Sequence, residues 1–506
     1  MHPPLAEAGV PWPVLAASVA AALLVAAVVL RLFSGDARRS AGAAGDAKAR
    51  RPPAGTLGWP LVGETLAFIS AAYSSRPESF VEKRCLRYGK VFRSHLWGSP
   101  AVVSADVEAS RAVLQSDASA FVPWYPRSLM ELMGESSILV LGGALQRRVH
   151  GLAGAFLKSP ELKARVTADM RCRLAAAMGS WRATAGTAVR VQDEAKSIVF
   201  EILVRALIGL EQGQEMNYLR QQFHIFIAGL ISLPIKLPGT QLYRSLKAKK
   251  RMTSLIQKII QEKRKRRRMI LGGEDLCLAS RDLIDVLMSG NGGDELSLTD
   301  ELISDNMIDF MIPAEDSVPV LITLAIKYLS ECPLALQQLE EENMELKRQK
   351  SDVGETLDWT DYMSLTFTQH VITETLRIGN IISGIMRKAV RDVEVKGQEG
   401  VVIPKGWCVL VYFRSVHLDA SVYNDPYAFN PWRWKERGDA ATGSGFTPFG
   451  GGQRLCPGLD MARLQASIFL HHLVTNFRWV ADGDDVVNFP TVRLKRGMPI
   501  RVTPKT

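Results

Sequence analysis

Hydrophobic residues recur with a helical period from about residue 145 to about residue 350, and two glycine-rich stretches, LGGED and SGNGGDE, interrupt the pattern. Shorter runs typical of β-strands lie on both sides: KVFRSHLW and AVVSA before this region, and AVRDVEVKG, GWCVLVYF and VVNFPTVRL after it. A helix buries about one residue in three or four, whereas a strand alternates or is continuously apolar. The pattern therefore predicts a mainly α fold with small β-sheets, of the α+β class.

The first apolar run, residues 14–30, has no charged residue, and two further apolar residues extend it to position 33. Its length approaches the ~20 residues that span a bilayer. Residues 1–13 contain no Lys or Arg, whereas several basic residues follow the run. Because basic flanks stay in the cytosol, we expect a transmembrane signal anchor at 14–33 with residues 1–13 in the lumen. The alternative, a cleaved signal peptide, would need basic residues before the run.

The segment after the run, residues 34–63, is rich in basic residues, proline, glycine and other small residues. Proline and glycine do not continue a helix, and the segment is either a stiff hinge or an ordinary disordered linker. The remainder, 64–506, is long enough for a large core in a protein that is 47% hydrophobic. We expect it to form the cytosolic domain.

The formal charge of +10 suits an anionic partner, but no nucleic-acid-binding motif is present. A membrane surface or an acidic protein fits this charge better than a nucleic acid does. The densest basic run, residues 263–268, favours a solvated helix end, with a nuclear signal or a contact with lipid headgroups as alternatives. The six cysteines are scattered without paired spacing, which indicates reduced thiols.

One cysteine lies in the glycine-rich stretch FTPFGGGQRLCPGLDMA, just before a helical pattern. Its fixed positions are Phe449, Gly452, Arg454, Cys456 and Gly458. A lone cysteine is usually an inert buried residue, but a helix N-terminus beside the sulfur should lower the thiol pKa and favour the thiolate. Glycines allow left-handed turns and close approach to a planar ligand, and an arginine offers donors to a carboxylate. This combination predicts a thiolate ligand to haem iron.

A second candidate is the long apolar segment SDNMIDFMIPAEDSVPVLITLAIKYLSECP, which contains Pro313 and Pro319. Each proline removes an N–H and bends a helix, and Asp316 and Ser317 fall within the bend. The segment predicts either a kinked core helix with satisfied polar residues or a polar site in the bend. An apolar stripe is expected toward the same side, formed by Met307, Phe310, Met311 and Ala314.

With these motifs the sequence resembles the cytochrome P450 family from about residue 52 to its C-terminus. The resemblance implies the P450 fold, haem b ligated by Cys456, and a haem-thiolate catalytic domain over 64–506. Glu374 and Arg377 in ETLR would form a buried, structural ion cluster with Arg433 in FNPWRW. Asp316 and Ser317 would relay protons during dioxygen activation. The residues implied to contact the haem are Phe449, Arg454, Gly458, Arg387 and Ala314.

The sequence departs from the family pattern at two places. Pro313 and Ala314 stand where the family usually has Ala-Gly before the acid, and Ser317 replaces the usual threonine. On the helix GGALQRRVHGLAGAF, the usual pair of residues that reach the haem propionates is not cleanly spaced. The candidates there are Arg147, Arg148 and His150, for each of which a solvated side chain is the alternative.

Two stretches, MIPAEDSVPVLITLAIKYLSECPLALQQLEEENMELK and WCVLVYFRSVHLD, resemble the plant brassinosteroid-biosynthesis branch of the family, particularly the C-23 hydroxylases that act on the aliphatic tail of the steroid. This implies a steroid substrate, electrons from NADPH through cytochrome P450 reductase, contact with membrane lipid, and a single-pass endoplasmic-reticulum location. The alternatives are C-22 hydroxylation, C-3 oxidation, or a non-catalytic haem-binding membrane protein. The expected substrate contacts are Met307, Phe310, Met311, Ile381, Ile382 and Ile385.

Overall fold

The computed structural model describes residues 51–59, 63–183, 186–230, 232–270, 282–289, 298–437, 445–489 and 491–505. The expected anchor at 14–33 lies outside these residues, as do 1–13 and most of the linker. Among the described residues, no single helix has both the length and the apolar composition needed to cross a bilayer. The described cysteines are all free, in agreement with the expectation of reduced thiols.

Helices make up most of the described residues. They are α1 (Thr65–Ala72), α2 (Ser79–Tyr88), α3 (Val107–Gln115), α4 (Arg127–Met133), α5 (Gly143–Lys158), α6 (Pro160–Ala183), α7 (Val191–Ile208), α8 (Gln214–Ile227), α9 (Gln241–Ile270), α10 (Leu283–Ser289), α11 (Asp300–Met311), α12 (Pro313–Asp316), α13 (Val318–Glu331), α14 (Pro333–Asp352), α15 (Trp359–Ser364), α16 (Thr366–Gly379), α17 (Phe413–His417), α18 (Arg433–Arg437) and α19 (Leu459–Asn476).

The strands are short and form small sheets, as the pattern predicts. They are β1 (Val91–Leu96), β2 (Ser99–Ser104), β3 (Phe121–Pro123), β4 (Ala188–Arg190), β5 (Ile385–Ala389), β6 (Val393–Glu394), β7 (Val402–Ile403), β8 (Cys408–Val411), β9 (Phe477–Ala481), β10 (Val486–Val487), β11 (Arg493–Leu494) and β12 (Pro499–Pro504). The largest sheet has the order β1-β2-β8-β5-β3, and a second has the order β4-β12-β9. Only the β2–β8 pairing in the largest sheet is parallel.

Both faces of the largest sheet are covered. On β8, Val409 and Val411 belong to one core cluster, whereas Cys408 and Leu410 belong to another on the opposite face. Since successive strand residues point to opposite faces, a strand buried on both sides must be continuously apolar, as GWCVLVYF is. A third and larger core cluster joins the helices, and α7, α11, α13, α16 and α19 all contribute to it.

The proline-containing segment forms three consecutive helices, α11, α12 and α13. Thr299 caps the first, because its hydroxyl accepts a hydrogen bond from the N–H of Leu302. Ile312 keeps helical dihedrals, so α11 and α12 are nearly continuous. The break falls at Ser317, with φ −129° and ψ −73°. The helical dihedrals are thus interrupted within the predicted bend, at the alcohol and not at either proline.

The basic run 263–268 lies in the last turns of α9. Lys263 forms ion pairs with Asp282 and Asp285, and Arg264 pairs with Asp300. Positions 265–267 are exposed. The structure therefore places a solvated helix end at this run, with its first two residues tied to neighbouring helices.

Candidate active site

The cysteine loop joins a short 3₁₀ turn, Gly452–Arg454, to the start of α19. The N–H of Cys456 donates to the carbonyl of Phe449 at 3.0 Å, which closes the loop around the sulfur. Phe449 itself packs against the main core. Helix α5 lies over the loop, because Nε2–H of His150 donates to the carbonyl of Leu455 at 2.8 Å. The backbone hydrogen bond between Cys456 and Phe449 and the contact with His150 on α5 therefore both hold the loop in place.

Two of the loop glycines adopt the left-handed conformation that the sequence predicts, Gly450 at φ +75° and Gly452 at φ +62°. At Gly452 a Cβ would lie 2.3 Å from the carbonyl oxygen of Leu114, so no other residue fits without moving α3. Gly451, with φ −171°, is extended, and Gly458, with φ −95°, also lies outside the left-handed region. Gly458 instead serves as the N-cap of α19.

The pKa of the Cys456 thiol does not follow the prediction from the sequence. Burial raises its pKa, and the hydrogen bond from the N–H of Gly458 lowers it by less. The helix N-terminus therefore does not by itself yield a thiolate, since desolvation of the charged form outweighs one backbone donor. A coordinating metal cation would supply the missing charge, because a metal-bound thiol is deprotonated.

Two half-buried guanidinium groups lie beside the cysteine loop, those of Arg387 on β5 and Arg454. Burial lowers the pKa of Arg387, and Tyr125 hydrogen-bonds it. Burial, together with the charge of Arg387, lowers the pKa of Arg454 to about 10. Arg454 donates to the carbonyls of Ile138, at 3.1 Å, and Leu141. Within the described residues, neither guanidinium forms an ion pair with a carboxylate.

This charge arrangement fits haem b. Two adjacent, partly desolvated cations without acidic partners are complementary to anions, and haem carries two propionates. The sulfur of Cys456 would need a cation beside it to become a thiolate, and haem carries iron. Arg387, Arg454 and Cys456, which the resemblance implies as cofactor contacts, are therefore complementary to one ligand. Of the candidates on α5, His150 binds the cysteine loop, whereas Arg147 is exposed.

The predicted ion cluster is confirmed, and all its members are buried. Arg377 makes a bidentate contact with Glu374, with Nε–Oε2 at 2.9 Å and Nη2–Oε1 at 2.8 Å. Nε of Arg433 donates to Oε1 of Glu374 at 3.0 Å, and Nε1–H of Trp434 donates to Oε2 at 2.9 Å. The remaining N–H groups of Arg377 bind backbone carbonyls, including that of His417 at 2.9 Å. The cluster is thus fully hydrogen-bonded, as buried charges require.

The cluster reaches the cysteine loop through His417 at the end of α17. Its imidazole contacts the backbone N–H of Thr447 at 3.1 Å, and Phe446 in the same loop packs on the rings of His417 and Trp434. The loop therefore rests on the residues that surround Glu374. This geometry agrees with the structural role that the resemblance implies for the cluster.

Asp316 and Ser317 lie at the break between α12 and α13. Burial raises the pKa of Asp316; Glu315 adds to this effect, while Lys196 and Arg493 oppose it. The ion pair with Lys196 is formed by Glu315 and not by Asp316. Asp316 is therefore a partly buried acid without a direct cationic partner among the described residues, a condition that suits a group which gains and loses protons.

The apolar stripe of α11 and α12 packs into the main core, and its position relative to Asp316 and Ser317 stays a prediction. Met307, Met311 and Ala314 are fully buried in the main core, because neighbouring helices pack on that side. Polar residues face the loop between α4 and α5 instead. Asn306 accepts from the N–H of Ile138 at 2.9 Å, and Asp309 accepts from the hydroxyl of Ser137 at 2.5 Å.

The other expected substrate contacts are dispersed. Phe310 and Ile381 are half-buried against the main core. Ile385 packs on one face of the largest sheet, and Ile382 is 44% exposed. The contact of these residues with substrate stays a prediction.

Three residues at this site are not predicted from the sequence: Tyr125, His417 and Asp309. Each lies far in sequence from the group it contacts, and none belongs to a spaced motif. Of these three residues, only Asp309 could have been found from the sequence, because it is a charged residue within the apolar run MIDFMIP. An acid in such a run indicates a specific role.

Comparison with known proteins agrees with this geometry. The family model described as Cytochrome P450 matches residues 52–499. The sequence is 75% identical over 497 residues to Cytochrome P450 90D2 from Brachypodium distachyon, covering 97% of this chain and 94% of that protein. It is 56% identical over 448 residues to 3-epi-6-deoxocathasterone 23-monooxygenase CYP90D1 from Arabidopsis thaliana, covering 88% and 89%. The solved structure titled "Retinoic acid bound cyanobacterial CYP120A1" shares the fold, with a TM-score of 0.76 at 21% identity over 90% of this chain and 100% of that one.

Proposed function

We propose that this protein, which belongs to the cytochrome P450 family, hydroxylates C-23 on the side chain of brassinosteroid intermediates. The observation that carries the proposal is the 56% identity to an enzyme named as a 3-epi-6-deoxocathasterone 23-monooxygenase. The cysteine loop, the ion cluster and the acid–alcohol pair are all present in the same molecule, which supports catalysis over a haem-binding protein without activity.

Haem b, when bound, supplies reductive activation of dioxygen and insertion of one oxygen atom into a C–H bond. Cys456 would hold its iron, and Arg387 and Arg454 would hold its propionates. Phe449, Gly458 and Ala314 are the further haem contacts of the proposal. Arg454 donates two of its five N–H groups to the carbonyls of Ile138 and Leu141, so others remain for an anion.

The protein's own residues would deliver protons to the reacting oxygen. Ser317 lies at the break of the helix, where its hydroxyl can pass a proton, and Asp316 is the neighbouring acid. Burial raises the pKa of Asp316, which favours the protonated form that a donor needs. Met307, Phe310, Met311, Ile381, Ile382 and Ile385 remain the candidates for holding the steroid.

The proposal includes the organisation of the protein in the cell. Residues 1–13 would lie in the lumen of the endoplasmic reticulum, and residues 14–33 would span the membrane. Residues 34–63 would link this span to the cytosolic domain, residues 64–506. That domain would receive electrons from NADPH–cytochrome P450 reductase. Protease added to intact microsomes should digest the domain. Its protection would reverse the topology.

The function is tested by turnover. Purified protein with reductase and NADPH is offered 3-epi-6-deoxocathasterone, and the product is located by mass spectrometry and NMR. Oxygen at C-23 supports the proposal. Oxygen at C-22 or a ketone at C-3 would assign one of the alternative oxidations, and haem binding without turnover would assign the non-catalytic role.

Replacement of the proposed iron ligand tests the site separately. Cys456→Ser should abolish turnover and the thiolate signature in the spectrum of the reduced carbon monoxide complex. Cys172→Ser is the matched control, because this exposed free thiol lies on α6. Retention of the thiolate spectrum in Cys456→Ser would refute the assignment.

A further inference from the structure

Two consecutive acids on α12, Glu315 and Asp316, lie beside a single ammonium group. Nζ of Lys196, on α7, is 2.5 Å from Oε1 of Glu315. Among the described residues Asp316 forms no ion pair, although the charge of Lys196 reaches it and lowers its pKa. The choice that Lys196 makes between the two acids therefore decides the charge next to Asp316.

Three elements meet around these acids. Helix α7 packs against α12, and β11 packs against α13, which follows the break. Helix α7 and β11 are also joined directly, because Oε1 of Gln192, one turn before Lys196, accepts from the N–H of Leu494 at 2.9 Å. The charged groups that act on Asp316 thus come from each of these elements: Lys196 from α7, Arg493 from β11 and Glu315 from its own helix.

The ion pair lies where the ammonium group can change partners. The side chain of Lys196 is 24% exposed and that of Glu315 is 14% exposed. Both charges are therefore partly desolvated, and each needs an opposite charge close by. Lysine carries its charge at the end of a flexible four-carbon chain. Since Asp316 is the next residue on the same turn, another rotamer of Lys196 brings the ammonium toward it.

An ion pair between Lys196 and Asp316 would impair the proposed proton relay. A cation within about 4–6 Å of a carboxyl group favours the ionised form and lowers the pKa by about 1–3. An aspartate in such a pair is ionised at neutral pH and has no proton to donate. Burial acts on Asp316 in the opposite direction. The relay therefore depends on a second acid that occupies Lys196.

We infer that Glu315 is a positioning residue, which holds Lys196 away from Asp316 and so keeps Asp316 able to donate a proton. This inference rests on the proposed function, which assigns the relay to Asp316 and Ser317. Glu315 itself transfers no proton in this arrangement. It acts through Lys196, and the proton passes from the carboxyl of Asp316 to the hydroxyl of Ser317.

The test compares a single variant with a double variant. Glu315→Gln keeps the shape of the side chain but removes its charge, so Lys196 should turn to Asp316. The rate of product formation should then fall about 10-fold, because the protonated fraction of Asp316 falls with its pKa, while NADPH consumption continues. Lys196→Met combined with Glu315→Gln removes the ammonium as well. In this double variant the hydroxylated product per NADPH oxidised should return close to the wild-type value.

Two further measurements separate this role from a structural one. Relative to wild type, Glu315→Gln should regain product per NADPH as the pH is lowered from 8 to 6, since protons compete with Lys196 for the carboxylate of Asp316. Steroid affinity, measured from the change in haem absorbance, should be the same in wild type, the single variant and the double variant.

The matched control is Glu201→Gln, on α7. Glu201 is 15% exposed, almost the same as Glu315, and pairs with Arg220 at 2.7 Å. The control therefore removes an equally buried acid from an ion pair elsewhere, and its product per NADPH should stay at the wild-type value.

Two results would overturn the inference. One is an unchanged product per NADPH in Glu315→Gln, which would mean that Lys196 turns to solvent or to Asp193, three residues earlier on α7. The other is a loss in Glu315→Gln that the second substitution does not restore. If the double variant does not fold, Lys196→Gln with Glu315→Gln serves in its place, because two amides can hydrogen-bond to each other.

Failure of the proposed function has a different signature. Hydroxylated product is counted whichever carbon carries the oxygen, so the ratio to NADPH does not depend on the site of oxidation. Absence of oxygen at C-23 in the wild-type product would refute the proposed function and leave the comparison between the variants valid.

Discussion

The imidazole of His417 accepts a hydrogen bond from the backbone N–H of Thr447, with 3.1 Å between the two nitrogens. Nε2 therefore carries no proton, and Nδ1–H donates to Oδ1 of Asn380 at 2.8 Å. The carbonyl of the same histidine accepts from Arg377. A single neutral residue thus connects the ion cluster to the cysteine loop, and protonation of Nε2 would break that connection.

Acid should destabilise the protein through this histidine. Burial lowers the pKa of His417 to about 3, with Arg377 and Arg414 adding to the effect. Between pH 6.5, its value in the unfolded state, and about 3, the unfolded state binds a proton that the native state does not. The free energy of unfolding should therefore fall as pH falls through this window. Urea unfolding at pH values from 8 to 4 measures the slope.

The His417→Gln variant should show a shallower acid dependence, because one titrating group is removed. His224→Gln is the control, since His224 is exposed on α8 and should not contribute. Some acid dependence should persist in both, as burial also lowers the pKa of His471 and His472, to about 3 and about 4. An unchanged slope in His417→Gln would contradict the prediction.

Loss of the shared carboxylate should be the most damaging change in the ion cluster. Glu374→Gln keeps the shape of the residue but leaves Arg377 and Arg433 buried without a counter-charge. We expect the free energy of unfolding to fall by ~3–5 kcal/mol, and haem retention to fall with it. The measurement is denaturant unfolding. Glu345→Gln, on the exposed ion pair with Arg348, should be close to wild type; equal losses in the two variants would refute the special role of Glu374.

The sequence predicts this cluster because a helix fixes part of its geometry. Glu374 and Arg377 are three residues apart on α16, so any helix over ETLR places them side by side. The small sheets are predictable for a similar reason, since a strand such as GWCVLVYF shows its burial on both faces in its composition. Local periodicity is enough for the sheets and for the contact between Glu374 and Arg377, whereas the burial of this pair and the participation of Arg433 are implied by the family resemblance.

The sequence does not predict contacts between residues that lie far apart in the chain, or pKa values that depend on two opposing energetic effects. Tyr125 reaches Arg387, and Ser137 reaches Asp309, across more than a hundred residues. The pKa of Cys456 depends on whether burial or the helix N-terminus has the larger effect, and that balance is set by packing. The direction of the apolar stripe on α11 likewise depends on which neighbouring helices cover it.

Removal of Arg387 from the half-buried pair that it forms with Arg454 should have opposite effects on the haem-free and the haem-bound protein. Arg387→Met removes one of two adjacent desolvated cations, so the haem-free protein should gain stability. The same change removes a charge-assisted hydrogen bond to a propionate, so haem affinity should fall about 10- to 100-fold. Unfolding of the apoprotein and haem transfer to an acceptor measure the two quantities. Arg391→Met, an exposed position after β5, is the control; a loss of stability in apo Arg387→Met would contradict the interpretation.

The hydroxyl of Ser317, at the helix break, should control the amount of hydroxylated product formed per NADPH oxidised. Ser317→Ala removes the hydroxyl from the proposed relay and leaves the cysteine loop untouched, so haem content should stay at the wild-type level. Product formation should slow by about 10²-fold, the lower end for loss of a positioned proton-transfer group, while NADPH consumption continues. Asp316→Asn should act in the same direction, because the amide cannot release a proton. The measurement is the ratio of hydroxylated steroid to NADPH oxidised.

Ser317→Thr is the control for this relay, since it retains the hydroxyl and restores the alcohol that the family usually carries. The ratio of product to NADPH should therefore stay close to wild type in Ser317→Thr and fall only in Ser317→Ala. An equal ratio in all three proteins would mean that protons reach the haem by a route that does not pass through Ser317.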